Sequence, residues 1–185
     1  MYKICGTEQS IARQRQLEQG LLQVMLTGAY EDVSISDLCD RLQIPRKTFY
    51  RYFSSKEGAL YALIDHTIMD FYAGGDRGPE TGTPRGDFQH FFEFWYEKRK
   101  LLDALSRNGL TDILSKRAMT LVQQEGLIRK DFFTGGEIGQ EIMLSFALCG
   151  LMSMIFRWHE MGFPVPPAEM SQMAMKILSR PLFQI

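Results

Sequence analysis

An all-α fold is what this sequence predicts, and three observations carry the prediction. Apolar residues recur at helical spacing along most of the 185 residues between helix-stop signals, and no segment alternates apolar and polar residues as a half-buried strand would. The third observation is local. The stretch Ser34 to Lys56, SISDLCDRLQIPRKTFYRYFSSK, reads as two short helices joined by a tight turn, the second rich in basic, hydroxyl and phenol groups.

The elements follow in order. Thr7 to Leu26 predicts a first helix, with Ile11, Leu17, Leu21, Val24, Met25 and Ala29 roughly on one stripe and Gly28 as its stop. Arg13 and Arg15 near its start suit either a phosphate contact or plain solvation. Ser34 is a good N-cap for a second helix, and Ile35, Leu38, Cys39 and Leu42 then fall on one face. Gln43 and Ile44 break that pattern. Pro45 suits the first turn of a new helix, where its missing N–H costs nothing, and it disfavours helical geometry at Ile44.

In this third helix Phe49 and Phe53, four apart, point to the core. Arg46, Lys47, Thr48, Tyr50, Arg51 and Tyr52 remain for other faces. Double-stranded DNA asks for such groups: cations for phosphates, hydroxyl and phenol donors to fix register, a forked guanidinium for a guanine edge. Ser54 or Ser55 caps a fourth helix running from Lys56 to about Tyr72. Leu60, Leu63, Ile64, Thr67 and Ile68 form its inner positions. A lysine in a helix's first turn opposes the helix dipole unless an anion lies near, and phosphate fits that place.

The run GAYEDVSISDLCDRLQIPRKTFYRYFSSKEGAL resembles the TetR/AcrR family of bacterial transcriptional regulators, over about the first third of the chain. The TFYRYFSSKE segment is its specific part. The resemblance implies a three-helix DNA-binding domain over residues 1–56, then an effector-binding and dimerisation domain over 57–185 that shares helix 57–72 as connector. It makes Thr48, Tyr50, Tyr52 and Lys56 phosphate contacts, with Arg51 beside them, and Arg46 and Lys47 the readers of base edges. The chain departs from the family pattern where Leu42 and Gln43 replace a small pair such as Ala-Gly, where Pro45 replaces Ser, and where Lys47 stands in a position often held by Gly.

Composition agrees and excludes other classes. A chain 45% hydrophobic and 23% charged is neither disordered nor collagenous, and long enough for one or two packed domains. No run of about eighteen apolar residues and no apolar leader are evident, so a cytoplasmic protein with no membrane partner is expected. Three widely spaced cysteines, Cys5, Cys39 and Cys149, fit free thiols in a reducing compartment. The net charge of −1 is not that of a basic DNA binder, and residues 1–73 hold eight cations against nine acids. Distribution answers this: from Arg41 to Lys56 there are five cations and no acid.

Beyond the fourth helix, GGDRGPETGTPRG at 74–86 reads as a loop. Further helices are expected at about 87–107, 109–125, 135–161 and 167–180, stopped by Asn108-Gly109, Gly126 and the stretch from Gly162 to Pro167. DFQHFFEFWYEK is apolar nearly all round, as a helix packed on two sides would be. By the resemblance, some of these rings line a cavity for a small, largely apolar effector, with Phe91, Phe94, Trp95, Met119 and Met143 as its expected contacts. The last two helices are expected to pair with their copies across a two-fold axis, giving a homodimer with Ile142, Phe146, Gly150, Met170, Met173 and Ile177 at the interface. Two recognition helices then address adjacent major grooves about 34 Å apart.

Enzyme chemistry finds no support. His66, His90 and His159 lie on separate helices without metal-ligand spacing, and no glycine-rich phosphate loop follows a strand. Neither a metal nor a cofactor is expected. The sequence therefore predicts a sequence-specific DNA-binding regulator, a repressor released by its effector. The alternative is the same fold acting as a co-activator through another protein, without touching DNA.

Overall fold

The computed structural model describes residues 1–74, 84–125 and 136–178, and among these only helices, connecting turns and one isolated antiparallel bridge between Tyr2 and Phe53 occur. The helices are α1 (Glu8–Thr27), α2 (Ile35–Arg41), α3 (Arg46–Tyr50), α4 (Lys56–Ala73), α5 (Pro84–Glu97), α6 (Arg99–Arg107), α7 (Thr111–Glu125), α8 (Gly136–Glu160) and α9 (Pro167–Leu178). The all-α expectation holds. Most of the loop expected at 74–86 lies outside the described residues, as does the stop at Gly126.

One difference concerns the helix expected at 87–107, which is two helices broken at Lys98. The Lys98 carbonyl accepts from the amides of both Leu101 and Leu102, and so begins α6, while its own amide still closes the last turn of α5 on the Phe94 carbonyl. No glycine or proline marks the break. Its cause is packing, because Leu101, Leu102 and Leu105 must be buried along a different line from Phe91, Phe92 and Trp95.

The chain divides into two compact units, residues 1–69 with 103–118, and residues 70–102 with 119–185. The first thus takes in most of α4 and parts of α6 and α7, beyond the boundary drawn at residue 56 from the sequence. Its core is built where the apolar spacing put it: Leu17, Leu21, Met25, Leu38, Phe49, Phe53, Leu60, Leu63 and Ile64 are almost wholly buried. Each fully buried chain of this size contributes about 2–3 kcal/mol. Ile11 and Ala29, placed on the α1 stripe by spacing, are exposed instead, Ile11 in the first turns of α1 and Ala29 beyond its Gly28 cap. Gly20 faces the core at mid-helix, and a Cβ there would stand 2.3 Å from Cδ2 of Leu42. The large turn residue is thus accommodated by the missing side chain on α1.

In the second unit α5 packs on α9. Phe92 and Trp158 meet edge to face at 5.8 Å, Phe163 stands at 4.8 Å from Trp158, and the indole N–H donates to the Val165 carbonyl at 3.0 Å. α8 buries Leu144, Leu148, Met152, Ile155 and Trp158 along one face. Its other face is open and apolar, with Ile138, Ile142 and Phe146 at 76%, 64% and 58% exposure. By length and composition alone this helix is apolar enough to cross a membrane.

Candidate nucleic-acid interface

The helix-turn-helix is assembled by local bonds that the sequence encodes. Ser34 and Asp37 form a reciprocal cap: the Asp37 amide donates to Ser34 Oγ at 3.1 Å and the Ser34 amide to Asp37 Oδ2 at 3.0 Å. The Ser34 hydroxyl, which donates to Asp37 Oδ2 at 2.5 Å, and the Ser34 amide hold the Asp37 carboxyl below its usual range. α2 ends where Gln43 adopts φ 51°, the left-handed region, with the Gln43 amide on the Asp40 carbonyl and the Ile44 amide on the Cys39 carbonyl. This is a Schellman cap with glutamine in the position that glycine fills without strain. Pro45 then takes extended geometry as the N-cap residue of α3, one position ahead of where the sequence put it.

α3 is short, ending at Tyr50, and Phe53 lies beyond it. Phe49 and Phe53 still pack together, their rings 5.2 Å apart and both fully buried, which fixes the helix on the core. Arg46, Lys47 and Arg51 are exposed, Tyr50 is 54% exposed and Thr48 half-buried. These five occupy the faces of α3 left free by Phe49, with Arg41 nearby in sequence. The surface suits a polyanion.

Two residues expected on that surface stand elsewhere. Tyr52 is buried, at 7% exposure, because its position follows α3 and its ring packs beside Phe53 at 6.3 Å. Lys56 is turned to the protein. Its ammonium donates to the carbonyls of Tyr30, Val33 and Glu31 at 2.6, 2.8 and 3.2 Å and lies over the Tyr30 ring at 4.3 Å from its centroid. The backbone of the α1–α2 loop thus supplies the negative partner for which phosphate had been expected. Burial raises the Tyr30 phenol above its ordinary value, so this ring stays neutral.

Sequence reasoning missed two groups. Asn108, read only as a helix stop, holds the same loop from the other side: Oδ1 accepts from the Tyr30 amide at 2.6 Å, and Nδ2 donates to the Met25 and Ala104 carbonyls at 3.1 and 2.7 Å. An asparagine before a glycine gives no signal of such a role. The second is a cleft of about 630 Å³ beside α3, lined by Lys3, Ser10, Arg13, Thr48, Arg51 and Tyr52 among others, with three cations and no carboxylate in its walls. Arg13 lies here, while Lys3 went unnoticed because its place depends on how residues 1–3 dock.

In the second unit the expected effector contacts separate. Phe91 and Trp95 are buried and Phe94 half-buried; the Phe71 ring meets those of His90, Phe91 and Phe94 at 4.9, 5.7 and 5.3 Å, and Trp95 meets Phe91 and Phe94. Met119 packs instead with Tyr72 against Val122, Leu144 and Leu148. Met143 does not join them. It is 44% exposed, because it sits one residue, about 100° of helix, from the buried Leu144. Of the expected interface residues, Ile142, Phe146, Gly150, Met173 and Ile177 are exposed, whereas Met170 is buried at 8% on the inner side of α9 with Ala174. Among the described residues no group of His, Cys, Asp or Glu is arranged to hold a metal.

Comparison with known proteins bears on the N-terminal region. Residues 20–63 match the family model described as bacterial regulatory proteins, tetR family. A 55-residue stretch is 40% identical to the HTH-type transcriptional regulator EthR of Mycolicibacterium smegmatis, covering 30% of this chain and 25% of that protein. A 63-residue stretch is 29% identical to the HTH-type dhaKLM operon transcriptional activator DhaS of Lactococcus lactis, covering 34% of each. The matches thus span a quarter to a third of these relatives. Over the whole fold, the fatty acid degradation regulator FadR from Bacillus halodurans superposes with a TM-score of 0.62 at 14% identity, covering 97% of this chain and 98% of that one.

Proposed function

We propose that this chain, whose residues 20–63 match the tetR family model, is a TetR-family, sequence-specific DNA-binding transcriptional regulator acting as a homodimer in the cytoplasm. The observation that carries this reading is the exposed face of α3, where Arg46, Lys47, Tyr50 and Arg51 point to solvent from a helix anchored by Phe49 and Phe53. Arg46 and Lys47 stand at the start of α3, the end that a recognition helix presents to base edges. Thr48 and Arg51, which also line the basic cleft, contact phosphate.

The dimer reading rests on α8. Ile142 and Phe146 continue through Gly150 along one exposed face, and Met173 and Ile177 extend the apolar surface on α9. A second copy of the same face covers it by two-fold symmetry. A membrane span would leave the whole girth of α8 to lipid, whereas this helix buries five residues in its own unit.

Regulation is by release: a small apolar effector enters the second unit near Phe71, Phe91 and Phe94 and favours a dimer that no longer fits its operator. Linkage limits the effect to the effector's differential affinity for the free and DNA-bound forms. Equal affinity for both overturns this mechanism. That one relative is named an activator favours a second reading of sign, in which the bound dimer promotes transcription.

The test uses the duplex that the protein enriches from a randomised pool. Its affinity should fall linearly in log salt, by about 10²–10⁴ between 50 and 200 mM for a dimer with several phosphate contacts per subunit. Arg46→Ala and Lys47→Ala should relax base choice at single positions, each worth about 1–3 kcal/mol, while Thr48→Ala weakens all duplexes alike. Absence of salt-dependent retention would favour the co-activator that does not touch DNA.

A further inference from the structure

The first unit buries two carboxylates that a DNA-reading surface does not use, Glu18, 2.8 Å from His66 Nδ1, and Asp65, on which Arg117 and Tyr2 converge. Asp65 on α4 is almost fully buried, yet it is ionically paired: Arg117 of α7 donates to it through both Nε, at 2.6 Å to Oδ1, and Nη2. Tyr2 completes the set, its phenol donating to Asp65 Oδ2 at 2.8 Å. Burial and that bond push the Tyr2 phenol far above its ordinary range, so it remains a donor.

Tyr2 is more than a third partner for a buried charge. Its backbone pairs antiparallel with Phe53, the Lys3 amide donates to the Tyr52 carbonyl at 2.9 Å, and the Ser54 amide donates to the Met1 carbonyl at 3.1 Å. The segment lies so close to α4 that a Cβ on Gly58 would stand 2.4 Å from the Met1 carbonyl oxygen. Residues 1–3 therefore form a short clasp on the chain that leaves α3. The same residue ends in the Asp65–Arg117 pair.

Chain continuity gives the arrangement its direction. α7 contributes its residues through Ala118 to the first unit and those from Met119 onward to the second. Arg117 is the next-to-last residue of the first part. We propose that Arg117 and Tyr2 are positioning residues for DNA recognition, forming with Asp65 a polar relay that ties α7 to the end of the recognition helix. The inference rests on the reading of α3 as the DNA-reading helix.

An all-apolar contact would hold α7 to α4 at least as firmly, since a buried ion pair gains little net stability over apolar packing. What the pair adds is geometric discrimination. A guanidinium held by two bonds to a carboxylate that also accepts a phenol tolerates little rotation of α7 before a bond breaks. A broken bond frees Tyr2, and with it the Tyr52–Ser54 pairing.

The experiment compares Tyr2→Phe, Arg117→Lys and the double variant, reading amide hydrogen exchange at Ser54 and the ratio of affinities for the pool-selected duplex and a scrambled one. Each single variant should speed Ser54 exchange by about 10-fold or more relative to Leu38, and lower the affinity ratio by about 3–10-fold. In the double variant these effects should not add, because both act through Asp65. A merely structural role would weaken both duplexes equally and leave the ratio in place. Ser54 exchange within about twofold of wild type in Tyr2→Phe, or fully additive effects in the double variant, overturns the relay. If the wild-type protein selects no duplex, the DNA reading falls, and the exchange arm still decides whether Arg117 reaches Ser54.

Discussion

The two compact units solve the same problem to different degrees. In the first, large apolar chains from α1, α2, α3 and α4 are closed off, with Leu21, Leu38, Phe49 and Ile64 at 0% exposure. In the second, α8 buries one face as well but leaves Ile138, Ile142 and Phe146 more than half exposed. A contiguous apolar strip of this kind is costly in water. The first unit reads as complete in itself and turns a charged face outward, and the second reads as half of a structure. The proposed partners rest on that contrast, a polyanion for one and a second copy for the other.

The largest effect is expected where the contrast is sharpest. Phe146→Glu places a charge in the middle of the open face of α8, where a dimer would bury it twice across the two-fold axis. The variant should sediment as a monomer, and affinity for the pool-selected duplex should fall by about 100-fold or more, since two linked half-site contacts become one. Helical content should be unchanged, because Phe146 is exposed in the single chain. A variant that stays dimeric places the interface elsewhere.

A smaller effect sharpens the contrast within the first unit, between the solvent-facing cations proposed to meet DNA and the one that faces the protein. Lys56→Met removes donors from three loop carbonyls and should cost about 2 kcal/mol of stability, read from denaturant midpoints. It should leave the salt slope of duplex binding at the wild-type value. Arg51→Met should do the reverse, lowering the slope by about one per subunit with little change in stability. A lowered slope in Lys56→Met would return that lysine to the phosphate contacts.

What was legible in the sequence follows from the range of the interactions. The helix starts at Ser34 and Lys56, the burial of Phe49 and Phe53, and the exposure of Arg46 and Lys47 depend on periodicity and capping within a few residues, and these were read correctly. The break at Lys98 was not, because it lies between two good helical patterns and follows from where each must be buried. Lys56, expected to meet phosphate, turns to the protein for a related reason: its partners are carbonyls 23 to 26 residues away. Main-chain acceptors leave no trace in residue types. The Tyr2–Asp65–Arg117 set, spanning 115 positions, could not be seen at all without the fold.

The turn between α2 and α3 gives the smallest expected effect. Two features there depart from the small-residue pattern of the family, and the structure treats them differently. Leu42 is accommodated, since Gly20 opens the facing wall of α1 and Leu42 is left half-buried. Gln43 is not relieved in that way, because φ 51° is a property of its own backbone. A left-handed residue other than glycine carries a penalty of about 1–2 kcal/mol, of which glycine would give back part through greater freedom in the unfolded chain. Gln43→Gly should therefore raise stability by about 0.5–1 kcal/mol. Gln43 is exposed, so no packing is lost to offset the gain, and the relation of α2 to α3 stays the same. Duplex affinity should not change. A weaker grip on the selected duplex, with stability raised as expected, would show instead that the strained cap holds α3 at the angle the major groove requires.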